Sequence, residues 1–231
     1  MILRLYILNV ERQRIKTLSQ NLEKSLFIIG AGRQAMETFY LCKDHTDYEP
    51  VGFIDENAID SQFYMNLPVY NMDDFKKNVN LPEILLINAI GNISISKRLS
   101  SSFEKIGVKF INLFNKEIPT DGRNDYGYGI TIGQGTILTS NIRVGNHVLI
   151  NVGCTISHDC IIEDFCNISP GCHLAGHVIL ESEVFLGTGV SIIPKVKIGR
   201  GSIIGAGSVI IRDVPENSLV AGVPGRIIKK L

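Results

Sequence analysis

Every sixth residue from Ile132 to Ile210 is aliphatic, fourteen positions in a row without an exception. The series runs Ile132, Leu138, Val144, Ile150, Ile156 and so on through Ile204 and Ile210. Four residues after each comes a small or β-branched partner: Thr136, Ile142, Val148, Cys154, Cys160, Cys166, Cys172, Val178 and onward to Val214. Gly, Asp, Asn, Ser and Pro fill the gaps. Such a hexad is a short strand plus a turn, and three hexads close one coil of a parallel β-helix. Residues eighteen apart therefore stack on each other.

The chain has 231 residues, which suits one large domain or two small ones. Its 23 basic and 23 acidic residues balance, which argues against a nucleic-acid partner. No apolar run approaches the roughly 18 residues of a membrane helix, so no membrane insertion is expected. The apolar start is short, is broken by Arg4 and lacks a cleavage site. It is not read as a signal peptide, and a cytoplasmic location is expected. Four of the five cysteines recur every six residues. They are either a metal or disulfide cluster or fillers of one small inward slot. Three hexads per coil send Cys154, Cys160 and Cys166 to three faces and stack only Cys172 on Cys154, which favours the fillers.

Residues 1–25 read as an N-terminal extension with no assignable role. From 26 to 113, strand and helix signals alternate: Leu26–Ile29, a helix from Arg33, Val51–Asp55, a helix from Asp73, Glu83–Asn88, a helix from Ser94, and Val108–Leu113. This pattern implies a small Rossmann-like parallel sheet covered by helices. Residues 114–129, rich in Gly, Asp, Asn and Pro, read as a linker. The β-helix domain then occupies 130–231. The tail from Ala221 is expected to cap its open end, and its Arg226, Lys229 and Lys230 either contact the phosphates of a cofactor or form a solvated cap.

Two constellations could carry chemistry. Gly30-Ala-Gly32-Arg33-Gln34-Ala35 lies between a strand and a helix, where backbone N–H groups can hold a phosphate, and Asp55 ends the next strand. The alternative is a tight turn without a ligand. His158-Asp159 occupies a turn of the repeat. An outward histidine beside an acid is a natural general base near neutrality. Eighteen residues on stands Gly176, which leaves room for a reacting group and bares an N–H that could meet an oxyanion. The alternative is a solvated turn histidine. Of the other histidines, His173 and His177 fall at different hexad phases and need not converge. With His45 and His147 they read as surface or interface residues, the alternative being zinc ligands between chains.

The hexads with His158-Asp159, Ala175-Gly176 and the ending Ala221-Gly-Val-Pro224 resemble hexapeptide-repeat acyltransferases. Phe27-Ile-Ile-Gly-Ala-Gly32, Val51-Gly-Phe-Ile-Asp55-Glu56 and Ala89-Ile-Gly-Asn92 narrow the resemblance to bacterial sugar acetyltransferases acting on nucleotide-linked amino sugars, with sialic acid O-acetyltransferases as close relatives. It implies a left-handed β-helix, a homotrimer, and acetyl-CoA bound between neighbouring prisms as cosubstrate, with no metal. It also implies His158 as base tuned by Asp159, with Asn151 and Gly176 in support. Asn167, Gly176, Thr188 and Ala206 would contact the cofactor. Gly30, Gly32, Arg33, Gln34, Asp55, Glu56, Gly91 and Asn92 would hold the nucleotide sugar. Two positions depart from the family: Arg33-Gln34 replaces a common Gly-His, and Asn167 replaces a histidine of some relatives. Asn167 lies nine residues, half a coil, from His158, so a shared site would draw them from different chains.

The expectation is thus transfer of acetyl from acetyl-CoA to the amine of a nucleotide-linked sugar, in surface-glycan biosynthesis. Other readings are a sialic acid O-acetyltransferase, a zinc enzyme of the β-helix carbonic anhydrase type, or a non-catalytic trimeric assembly module.

Overall fold

The computed structural model describes residues 25–45, 49–59, 62–78 and 84–231. The N-terminal extension, apart from Ser25, lies outside the described residues. The first module is a six-stranded sheet in which apolar runs pair in parallel. β1 (Ser25–Ile29) sits between β2 (Pro50–Asp55) and β5 (Ile84–Asn88). Such strands, fully buried in β1 and β5, need helices on both faces. Those are α1 (Arg33–His45), α2 (Met72–Asn78) and α3 (Ile93–Glu104). α3 starts where the Asn92 side chain accepts the Ile95 N–H at 3.0 Å. The chain leaves β1 toward β2 on one side, and β5 lies on the other. This makes the carboxyl end of β1 a topological switch point, where open α/β sheets place ligands.

One hairpin, β3 (Phe63–Tyr64) with β4 (Leu67–Asn71), is absent from the sequence reading. Its strands are short, Pro68 breaks the pattern, and its turn needs positive φ at Met65 and Asn66. It extends the sheet beyond β2.

The second module is the coil expected from the repeat. Strand pairs are offset by eighteen residues: Leu149 to Asn167, Thr155 to His173, Ile161 to Ile179. Three parallel faces result. The first holds Thr131–Ile132, Leu149–Ile150, Asn167–Ile168, Phe185–Leu186 and Ile203–Ile204, the second Thr155–Ile156 and its stack, the third Ile161–Ile162 and its stack. All fourteen aliphatic positions are at most 3% exposed, so they form one continuous column. Cys154, Cys160, Cys166 and Cys172 fill the inward slots as free thiols. The hydroxyls there are satisfied: Thr136 Oγ1 donates to Asn151 O at 2.6 Å and accepts from Cys154 N–H at 3.0 Å.

Residues 114–129 are not a plain linker. Leu113–Phe114 pairs with Thr131–Ile132, and Asp125–Tyr126 with Arg143–Val144, so the coil starts one rung earlier. Asn112 and Asn124 explain why turn-like composition still builds a rung. Their Oδ1 atoms accept the N–H groups of Ile130 and Ile142, each eighteen residues on. At the far end, Ser218–Gly222 and Gly225–Lys230 pair antiparallel and close the first face. Among the described residues, no helix is long and apolar enough to cross a membrane.

Candidate active site

The turn between the second and third faces presents His158. Asp159 holds a left-handed conformation (φ 61°), as do Asn141 and His177 one coil to either side. The backbone ladder Asp159 N–H to Ser140 O and His177 N–H to His158 O locks these turns in register. His158 Nδ1 lies 2.7 Å from Asp159 Oδ2, and its side chain is 58% exposed. With Nδ1–H on the carboxylate, the lone pair falls on Nε2, as a general base requires. Asn141 donates to the other oxygen, Oδ1. The His158 hydrogen bond and then that of Asn141 hold the Asp159 carboxyl below its ordinary value. Gly176 lies against the imidazole: a Cβ there would stand 2.6 Å from His158 Cε1 and 2.8 Å from Nε2. The Gly176 N–H makes no hydrogen bond to a described residue.

Within one chain the other site residues lie elsewhere. Thr188 and Ala206 stack on the turn between the first and second faces, a different edge of the prism, and both are exposed. Asn151, on that same edge, donates to Ile168 O at 2.9 Å. It lines a groove of about 230 Å³ between α1 and the first face, together with Gln34, Tyr40, Asp44, Gly133 and Val152. Asn167 is buried, and its Nδ2 donates to Gly91 O at 2.6 Å. The residue expected against the cofactor is thus spent, in this chain, on joining coil to α/β module. Its neighbours in that seam are the buried His147, bonded to Glu104 at 2.7 Å and stacked on Phe165, and the Lys97–Glu183 pair.

The residues expected at the nucleotide do converge, at the carboxyl ends of β1, β2 and β5. Gly30 needs its positive φ of 101°, and a Cβ would run into Ile90 Cδ1 at 2.7 Å. Asp55 accepts Ala31 N–H at 3.1 Å and Asn57 N–H at 2.9 Å, closing the glycine loop. Gly32 has open space around it, and Arg33 points to solvent from the first turn of α1, so the loop is not crowded. Asn92 caps α3.

Sequence reasoning missed four residues here. Arg98 grips Glu56 through two contacts of 3.0 and 2.8 Å, and Tyr64 Oη donates to Gly32 O at 3.0 Å. No sequence signal marks either. Asn141 and His177 differ: each is eighteen residues from Asp159, so stacking arithmetic could have found them.

The bacterial transferase hexapeptide (six repeats) family pattern matches residues 177–212. A mutant of perosamine N-acetyltransferase from Caulobacter crescentus, solved in complex with CoA and GDP-perosamine, superposes with a TM-score of 0.83 at 26% identity, covering 89% of this chain and 97% of that one. WeeI from Acinetobacter baumannii AYE gives 0.78 at 26%, covering 89% and 100%. Galactoside O-acetyltransferase of Lactococcus lactis subsp. lactis is 35% identical over 92 residues, 40% of this chain and 44% of that protein. The chain spans about half or less of the curated relatives it matches. The chain therefore has the hexapeptide-repeat β-helix acetyltransferase fold, with an N-terminal α/β parallel sheet.

Proposed function

We propose that this chain is an acetyl-CoA-dependent acetyltransferase acting on the amine of a nucleotide-linked amino sugar, in the cytoplasmic stage of surface-glycan synthesis. The observation that carries it is the oriented His158–Asp159 pair over the bare backbone at Gly176. The α/β module holds the nucleotide at the switch point through Gly30, Gly32, Arg33, Gln34, Gly91 and Asn92, with Asp55 and Glu56 shaping the site. Binding there orients an acceptor far from the reacting atoms, which lowers the barrier without touching the chemistry. His158 Nε2 takes the proton as the amine attacks the thioester, the oxyanion meets the Gly176 N–H, and CoA leaves as the thiol.

His158 lies on one edge of the prism, while Asn151, Thr188 and Ala206 lie on another. In this reading the coil is left-handed, and a homotrimer brings the edges of adjacent chains together with acetyl-CoA between them. Transfer to a hydroxyl is the second reading, favoured by the likeness to galactoside O-acetyltransferase.

The test measures CoA release with acetyl-CoA against GDP- and UDP-linked amino sugars and free or CMP-linked sialic acid. Transfer to one amino sugar is expected, and transfer to none by a well-folded trimer overturns the reading. Co-expression of His158→Ala with Asn151→Ala chains tests the shared site. Mixed trimers should regain activity that neither parent has, and no recovery places both residues' work in one chain.

A further inference from the structure

The His158 turn holds more than a base and its partner. The donor atoms of His158, Asp159 and His177 all lie within 4.8 Å of one another. Asp159 Oδ2 is 2.7 Å from His158 Nδ1 and 3.6 Å from His177 Nε2. The imidazoles stand edge to face at 90°, with centroids 5.3 Å apart. A zinc ion at about 2.0–2.2 Å from nitrogen and oxygen donors sets those donors roughly 3.3 Å apart in a tetrahedron. The observed separations straddle that figure, and half-exposed side chains close the difference by rotation. The backbone already supplies the alignment, since His177 N–H donates to His158 O at 3.0 Å. Asn141 holds Oδ1 of Asp159, so Oδ2, which now faces His158 Nδ1, is the oxygen that would exchange that hydrogen bond for a metal. A partner of this kind in the outer shell orients a metal-binding carboxylate. The acetyl-transfer chemistry has no use for His177.

We propose that His158, Asp159 and His177 form an inhibitory site for zinc or a similar divalent transition-metal ion. Two imidazoles and one carboxylate suit such ions better than magnesium or calcium, and the fourth position stays open to water. Metal on His158 Nδ1 leaves the ring's single proton on Nε2. The lone pair that accepts the substrate proton is then gone. Binding stands on the geometry alone, whereas inhibition rests on the acetyltransferase reading.

Cobalt(II) is the probe, because its visible absorption reports tetrahedral binding without any substrate. Wild-type protein should bind it and release it to zinc. His177→Gln should weaken cobalt affinity by at least about tenfold, keep its melting temperature, and retain turnover in chelator. Zinc inhibition should weaken by the same factor, with product read by mass spectrometry to avoid thiol reagents. His173→Gln, which alters an exposed imidazole bonded to Thr155 on the second face, should change neither. Equal cobalt affinity in wild type and His177→Gln overturns the site, as does no tetrahedral band at millimolar cobalt. His177-dependent binding in a chain that acetylates no acceptor supports the site and removes the transferase reading instead.

Discussion

Replacing Gly176 with alanine tests whether the bare corner acts through the imidazole. The new Cβ would stand 2.6 Å from His158 Cε1, 2.8 Å from Nε2 and 3.2 Å from Nδ1. Ordinary contact between heavy atoms is about 3.5–4.0 Å, so the ring must withdraw by about 1 Å. It can, since the side chain is more than half exposed. Gly176 is not among the positive-φ glycines, so alanine adds no backbone strain and the coil should fold normally. Withdrawal, however, stretches the bond to Asp159 or turns Nε2 off its line. Misplacing a reacting group by about 1 Å costs on the order of 100-fold in rate. That matches the lower end of a general base's contribution, about 10²–10⁴. Alanine keeps the N–H, so the oxyanion donor is unchanged. We expect kcat to fall about 100-fold, with KM for both substrates little altered. Steady-state kinetics on Gly176→Ala, His158→Ala and the double variant decide the route. If alanine acts through the ring, the double variant is no slower than His158→Ala, because effects on one unit do not add. Near-normal kcat in Gly176→Ala, or a double variant whose losses multiply, refutes the reasoning.

Asn167→Ala leaves the Gly91 carbonyl without its partner, at a cost of about 1–3 kcal/mol. It should raise the acceptor KM while sparing that for acetyl-CoA, and a selective rise in the acetyl-CoA KM would return Asn167 to the cofactor. His147→Ala empties a site packed between Phe110, Phe165 and Tyr128 and removes the imidazole that Glu104 bonds, for a loss of about 2 kcal/mol or roughly 5 °C in melting temperature. An unchanged melt contradicts that packing. Asp159 is depressed by its hydrogen bonds to His158 and Asn141, and Glu181 by those from Lys197 and Arg200. Depressed carboxylates stabilise above their unfolded pKa and lose that as pH falls through the folded value. The melting temperature should therefore hold steady from neutrality and drop only below about pH 4. Asp159→Asn should shrink the drop, and an identical acid profile in that variant disproves the linkage. Burial pushes the Cys160 thiol up to about 11 and the Cys166 thiol to about 12. Neither should react with a thiol reagent until the coil unfolds, and rapid native-state labelling at either position counts against the inward slot.

The coil was legible because each hexad repeats the same backbone geometry, so position in sequence modulo eighteen is position in space. That is how Gly176 could be placed beside His158, and Cys172 over Cys154, before any coordinates. The same steps lead from Asp159 to Asn141 and His177. Composition misled at 114–129, where polar residues suggested a loop. There Phe114 and Tyr126 pack on the core, and asparagine side chains replace missing backbone partners. What no repeat could encode is how the α/β module docks on the first face. Asn167 on Gly91 and Lys97 on Glu183 are products of that docking, and Arg98 on Glu56 and Tyr64 on Gly32 come from long-range packing inside the α/β module. Asn167 shows why this matters for function. Its residue type suits a ligand contact, but burial decides whether a ligand can reach it. With Nδ2 on Gly91 O and Oδ1 turned toward Asn151 Nδ2 at 3.5 Å, little of the carboxamide remains for a second molecule. The proposed cofactor site must then lean on the exposed stack of Thr188 and Ala206. Because that stack shares no edge with His158, the case for a site completed by a second chain rests on the shape of the prism itself.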